Sequence, residues 1–165
     1  SQPKGLDTLM YYDRPLKIEV WYPTILDENE REIVSYDQVM GQVGAEDRPL
    51  IPFTFLGRSS RDAKPAIKDG SFPLINVSHG YTDSRLLFTY LTENLASKGY
   101  VVVSIDHTGS TYRDAGPFNS TLLNRSLDDL FVLNEMDGLS KTKGAFLQGL
   151  ANADTTGLVG WSMGG

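Results

Sequence analysis

Leu158-Val159-Gly160-Trp161-Ser162-Met163-Gly164-Gly165 is the stretch on which the reading of this chain turns. Two β-forming residues run into Gly160, and Ser162 then stands between Gly160 and Gly164 in the pattern G-x-S-x-G. Small residues on both sides permit a tight strand-to-helix turn that pushes the serine hydroxyl outward. Such a pattern recurs by chance in about one chain in twenty of this length, so what precedes it decides its meaning.

Upstream, residues 72–77 form an apolar run of strand length, and residues 84–98 carry Leu87, Phe88, Leu91 and Leu95 on one helical face before Gly99 stops the helix. Residues 100–105 are almost continuously β-branched, which suits a strand buried on both faces of a parallel sheet. A second helix is expected where Leu123, Leu127, Leu130 and Phe131 make an apolar stripe ending near Met136. Ser126-Leu127-Asp128-Asp129 reads as its capping box, and Arg125 and Asp129 are spaced to pair across one turn. Residues 138–154 read as a loop with a helical turn near 146–150, and residues 156–160 as the strand leading into the turn. Nearer the start, residues 8–12 and 16–22 flank the turn residues Asp13-Arg14-Pro15 and predict an antiparallel hairpin. Residues 24–71 lack a sustained period and read as an irregular excursion placed to shape a pocket rim. Strands alternating with helices imply right-handed crossovers and an open α/β sheet with its chemistry at the carboxyl ends of the strands.

Composition narrows the function. A hydrophobic fraction of 40% over 165 residues suits a globular domain with a real core. The formal net charge of -6, with Lys and Arg scattered, argues against a nucleic-acid partner. No apolar run approaches the ~20 residues of a membrane span, and Ser1-Gln2-Pro3-Lys4 has no signal-peptide core. Without cysteine there are no disulfides or thiolate metal sites. Asp106 and His107 are adjacent, so in a strand they face opposite sides, and no metal or other cofactor is expected. The sequons Asn119-Ser120-Thr121 and Asn124-Arg125-Ser126 tilt the compartment towards secretion or the periplasm, while Asn76-Val77-Ser78 falls in an expected buried strand.

A second motif, Ser78-His79-Gly80-Tyr81, follows the strand at 72–77. Acyl transfer needs backbone N–H donors where the tetrahedral oxyanion forms, and a serine on such a turn takes one from the next residue and one from the loop after an earlier strand. Those donors are Met163 and Tyr81, with His79 and Gly80 supporting the loop. Alone, Ser78-His79-Gly80 reads as a polar turn; beside Ser162 it reads as half of a site. Tyr81 and Trp161 flank the position and suit either a substrate pocket or simple packing. His79 and His107, the only histidines, both precede Ser162, whereas the order in this arrangement is serine, acid, histidine. Both therefore read as structural or supporting, and the acid and base are expected after Ser162.

Several segments together resemble the platelet-activating-factor acetylhydrolase and dienelactone-hydrolase-like branch of the α/β-hydrolase superfamily. They are Leu16-Lys17-Ile18-Glu19-Val20-Trp21-Tyr22-Pro23, residues 72–80, residues 95–103, Asp106-His107-Thr108-Gly109-Ser110-Thr111, Arg125 with Asp129, and the elbow at Ser162. The Tyr81-Thr82 step and the elbow are also locally similar to cutinase-like polyester hydrolases. The resemblance implies a serine-dependent carboxylic ester hydrolase acting on a small-molecule or polymeric ester through an acyl-enzyme. Ser162 would be its nucleophile, and the Tyr81 and Met163 amides its oxyanion hole. The fold it implies over residues 1–165 is the N-terminal half of a single α/β-hydrolase domain: a mostly parallel sheet with an N-terminal antiparallel hairpin and helices on both faces, reaching the nucleophile elbow. A C-terminal half is expected to complete the sheet and supply acid and base. The alternatives are a non-catalytic hydrolase-like fragment or binding module, and a peptidase or acyltransferase on the same scaffold.

Overall fold

A computed structural model describes residues 8–66 and 70–165. Residues 1–7, which include Ser1-Gln2-Pro3-Lys4, and the excursion positions 67–69 lie outside the described residues. Strands β1 (Thr8–Tyr11) and β2 (Arg14–Trp21) form the expected hairpin, with Leu9 opposite Leu16. Its turn is made by Tyr12 and Asp13, Tyr12 taking a left-handed φ of 53°, while Arg14 and Pro15 already belong to β2.

The excursion is less irregular than its sequence suggests. It contains β3 (Val34–Met40) and β4 (Ile51–Gly57), paired antiparallel from Val34 opposite Gly57 to Met40 opposite Ile51. The period-2 signal is hidden because Val34 and Tyr36 alternate with exposed Ser35 and Asp37 only briefly, and β4 leaves Ile51, Phe53 and Leu56 in solvent.

From β5 (Phe72–Ser78) onward the alternation holds: α1 (Thr89–Ser97), β6 (Val101–Asp106), the short pair β7 (Ser110–Thr111) and β8 (Asp114–Ala115), α2 (Phe118–Lys141), and β9 (Ala151–Gly160). The sheet order is β1-β2-β6-β5-β9, with β6, β5 and β9 parallel and β2 antiparallel to β6. Side chains alternate between two cores. Leu74, Val101, Val103 and Ile105 pack with Val132 and Met136 of α2 on one face. Ile75, Val77, Val102 and Trp21 pack with Leu86 and Ala96 at α1 on the other. Each face is covered by one helix, the α/β arrangement the sequence implies.

Three local expectations change. Helix α1 begins at Thr89, not Ser84, because residues 85–88 form turns and the Ser84 hydroxyl accepts the Leu86 N–H. Helix α2 spans 24 residues, so Ser126 lies inside it and caps nothing, and the sequon residues Asn119 and Asn124 are helical too. Its leucine stripe faces out, Leu123 being 75% exposed and Leu127 and Leu130 also exposed. The buried face carries Thr121, Arg125, Asp128, Val132, Met136 and Ser140. Finally, β9 starts five residues earlier than the expected strand and shifts register opposite Pro73/Leu74, where proline has no N–H for the ladder.

Candidate active site

Strands β5 and β9 are parallel neighbours in register, with Ser78 opposite Gly160. This phasing brings the two sequence motifs, more than 80 positions apart in sequence, to the same sheet end. The Trp161 N–H donates to the Ser78 carbonyl at 3.1 Å, tying the start of the elbow to the other loop. Ser162 opens a single 3-10 turn, Ser162–Gly164, closed by Gly164 N–H donating to Trp161 O at 2.8 Å.

Ser162 is exposed and takes a φ of 54°, a left-handed conformation that costs a non-glycine residue about 1–3 kcal/mol. The flanking glycines are sterically required. A Cβ on Gly160 would lie 2.1 Å from Gly164 O, and one on Gly164 would lie 2.2 Å from Ser78 O. At Gly80 a Cβ would meet Ser162 Cβ at 3.3 Å and Trp161 Cδ1 at 3.2 Å, so the His79-Gly80-Tyr81 loop passes directly beside the serine.

Tyr81 sends its hydroxyl to Gly116 O at 2.8 Å and packs edge-on against Phe118, which anchors this loop at the start of α2. The N–H groups of Tyr81 and Met163 have no acceptor among the described residues. Trp161 is 58% exposed and meets Phe88 edge-on at 6.5 Å. Met163 rests its sulfur 3.7 Å from the Thr121 hydroxyl of α2.

Beneath the loop lies a polar network that the sequence reading missed. His107 Nε2 meets the Ser78 hydroxyl at 2.9 Å, and His107 Nδ1 meets Asp128 Oδ2 at 3.0 Å. Asp128 also accepts from Arg14 Nη2 at 2.9 Å and from Arg14 Nε at 3.4 Å. The Ser78–His107–Asp128 string has the connectivity of a catalytic triad, but all three side chains are buried, Ser78 at 4% exposure and Asp128 at 0%. No ester carbonyl reaches Ser78, so the string instead fastens β5, β6, α2 and, through Arg14, β2.

His79 is buried as well. Its Nδ1–H donates to Gly80 O at 2.6 Å, which leaves Nε2 to accept the His107 N–H at 3.4 Å. Burial, then the proximity of His107 and Arg125, hold its pKa well below the usual histidine value, so its ring stays neutral. Asp129 does not pair with Arg125 as the spacing suggests. It accepts from Asn76 Nδ2 at 3.0 Å, and burial raises its carboxyl above the ordinary range. Arg125 turns inward instead: Nη1 donates to His79 O and to Ser78 Oγ (3.4 Å), and Nη2 to Gly80 O (3.1 Å) and to Ser110 Oγ (2.5 Å). Burial lowers the guanidinium to about 10, so it remains a cation at neutral pH. The signal for this network was the i, i+4, i+7 spacing of Thr121, Arg125 and Asp128, a polar stripe along a helix.

Asp106 is engaged by Arg85, whose Nη1 lies 2.5 Å from its carboxylate. Among the described residues no cluster of three or more His, Asp or Glu side chains could hold a metal, and no helix is long and apolar enough to cross a membrane. The β3–β4 hairpin and α1 border an open pocket of about 770 Å³, lined by Phe53, Phe55, Leu87, Tyr90, Glu93 and Tyr112 among others. Ser162, Tyr81, Trp161 and Met163 are not in its wall.

An antiparallel hairpin leading into parallel strands, helices on both faces, and a left-handed serine on the turn after a parallel strand define the α/β-hydrolase class. Within that class, residues 63–165 match the PETase family model, described as PET hydrolase-like, and the chain belongs to that family. Among solved structures, the ferulic acid esterase from Streptomyces cinnamoneus is similar in fold, with a TM-score of 0.59 at 23% identity. The similarity covers 92% of this chain and 46% of that one, so the chain spans about half the length of that esterase. No curated protein matches the sequence significantly.

Proposed function

We propose that residues 1–165 form part of the catalytic domain of a serine carboxylic-ester hydrolase, with Ser162 as nucleophile. The carrying observation is Ser162 itself: exposed, left-handed at φ 54°, and beside Gly80 of the loop whose Tyr81 N–H has no acceptor among the described residues. A strained side chain held out at a strand end is the arrangement that presents a hydroxyl for attack.

In this reaction the Ser162 hydroxyl oxygen bonds to the ester carbonyl carbon while a general base takes its proton. The carbonyl oxygen becomes an oxyanion that accepts from the Tyr81 and Met163 N–H groups. Collapse breaks the bond to the alcohol, which leaves with the proton from the base, and water then resolves the acyl-enzyme by the same steps. We assign base and acid to residues following Gly165 in the intact enzyme, in keeping with the order serine, acid, histidine. Neither His79 nor His107 serves, since both are buried and their ring nitrogens are engaged.

The substrate we favour is an ester with an apolar or aromatic acyl side, because exposed Trp161 and neighbouring Phe88 offer ring faces next to Ser162. The PET hydrolase-like family match agrees with this choice. The Trp21-Tyr22-Pro23 strand, which favours the acetylhydrolase and dienelactone-hydrolase-like branch over the polyester hydrolases, lies outside the matched region.

The test is a fluorophosphonate probe on the intact enzyme together with hydrolysis of short p-nitrophenyl esters. Covalent labelling and turnover that vanish in Ser162→Ala are expected. An unlabelled wild-type enzyme, or turnover that survives Ser162→Ala, rejects the reading.

A further inference from the structure

We infer that Arg125 is a positioning residue that sets the direction of the Tyr81 oxyanion N–H; the inference rests on Ser162 being the nucleophile. Arg125 is 4% exposed, and its two terminal nitrogens reach the carbonyl oxygens of two successive residues, His79 and Gly80. The Gly80–Tyr81 peptide is trans, so its C=O and N–H point in opposite directions in one plane. Fixing Gly80 O on Arg125 Nη2 therefore fixes the Tyr81 N–H on the far side of that plane, away from α2. The same geometry applied to the His79–Gly80 peptide turns the Gly80 N–H away from Arg125 as well. Gly80 lies against Ser162, so the direction imposed on this loop is imposed within contact distance of the candidate nucleophile.

The guanidinium is itself held in place. Its remaining terminal donors go to Ser78 Oγ at 3.4 Å and Ser110 Oγ at 2.5 Å, and the Ser78 hydroxyl is tied through His107 to Asp128 on the next turn of the same helix. A buried cation is costly unless its donors are used; this one uses both terminal nitrogens on the loop and its supports, while its Nε–H has no partner among the described residues. A planar fork suits two adjacent carbonyls in a way that a lysine ammonium, a single point of charge, cannot reproduce. Arg125 touches no substrate in this scheme; it acts through the Gly80–Tyr81 amide. Oxyanion donors act only on the charged intermediate, so losing their alignment should lower kcat and leave KM nearly unchanged.

The experiment compares wild type, Arg125→Met, Arg125→Lys and Val132→Ala in the intact enzyme. Val132→Ala removes packing on the same buried helix face without touching the loop. Measured are kcat and KM on a p-nitrophenyl ester, the phosphonylation rate at Ser162, and the unfolding midpoint. Expected is a fall in kcat of about 10²-fold for Arg125→Met with KM within threefold, in line with loss of one oxyanion donor. Arg125→Lys should fall between it and wild type, and Val132→Ala should keep kcat within threefold despite its lower midpoint. Arg125→Met that stays folded with kcat within threefold of wild type overturns the inference. So does a kcat loss in Val132→Ala as large as that in Arg125→Met. Should Arg125→Met fail to fold, Arg125→Lys decides on the same kcat criterion. Failure of Ser162→Ala to abolish labelling of the wild-type pattern rejects the nucleophile instead, which separates the two outcomes.

Discussion

Asp128 is where the buried network is most exposed to a single substitution. Its carboxylate is fully buried and accepts the His107 Nδ1–H at 3.0 Å and two donors of Arg14 at 2.9 and 3.4 Å. In Asp128→Ala the His107 N–H is left buried without an acceptor, which costs about 1–3 kcal/mol. The charge-assisted bonds from Arg14 are lost too, but its side chain is 23% exposed and keeps Thr108 O at 3.3 Å, so water replaces part of them. The sum is about 3–5 kcal/mol, the usual consequence of breaking a buried ion pair from its less solvated side. Arg14→Gln should cost less, about 1–2 kcal/mol, because its partner retains His107. Urea unfolding of the protein followed by circular dichroism measures both, and the midpoint should move while the slope stays constant. A loss below about 1 kcal/mol for Asp128→Ala, or an equal loss for Arg14→Gln, would refute the view that burial and the His107 contact make Asp128 the hub.

Three further outcomes follow from other parts of the molecule. Gly164→Ala puts a Cβ 2.2 Å from the backbone oxygen of Ser78, which is no flexible side-chain end, so the elbow must move by about 1 Å. Fluorophosphonate labelling at Ser162 should slow by about 10²-fold, and labelling within threefold of wild type counts against the close approach of the two loops. Tyr36→Phe removes the acceptor of the buried Trp21 Nε1–H at 2.9 Å and should lower stability by about 1–3 kcal/mol in thermal melts; no change would mean that the indole finds another partner. His79 stays neutral in the fold while an unfolded histidine titrates near 6.5, so below about pH 6.5 the unfolded chain binds the extra proton and stability falls with acid. Replacing His79 with Asn should flatten that acid slope in unfolding measured between pH 7.5 and 5, and an unchanged slope argues against neutral burial.

The strands of the parallel sheet and both motifs at their carboxyl ends were legible because apolar runs and glycines report backbone geometry directly. Residues 72–77 and 100–105 are apolar because both faces of β5 and β6 are covered, one by α1 and one by α2. The glycines at 160 and 164 are written into the sequence because a Cβ at either position would fall 2.1 or 2.2 Å from a backbone oxygen. Helix α2 was misread for a physical reason. Periodicity rewards apolar residues, yet the inner face of this helix is occupied by Arg125 and Asp128, and its leucines point outward. A polar stripe inside and an apolar one outside invert the rule on which the expectation rested. Hairpin β3–β4 was lost because only one side of β3 is buried and β4 is nearly all exposed. The Ser78–His107–Asp128 string was not legible at all, since it joins residues 29 and 21 positions apart that meet only after the sheet has formed.

The strain at Ser162 ties the network to the elbow energetically. A left-handed serine costs about 1–3 kcal/mol and persists only if its surroundings forbid relaxation. Relaxing the turn would swing residues 161–164, but Trp161 N–H is held by Ser78 O, and Gly164 is wedged against that same carbonyl. Ser78 cannot yield easily because its hydroxyl is bound to His107 and its strand is paired on both sides, by β6 and β9. The buried groups beneath the loop therefore do more than satisfy one another. They make the Ser78 carbonyl a fixed stop against which the serine turn is held, and weakening them should relax Ser162 before it unfolds the sheet.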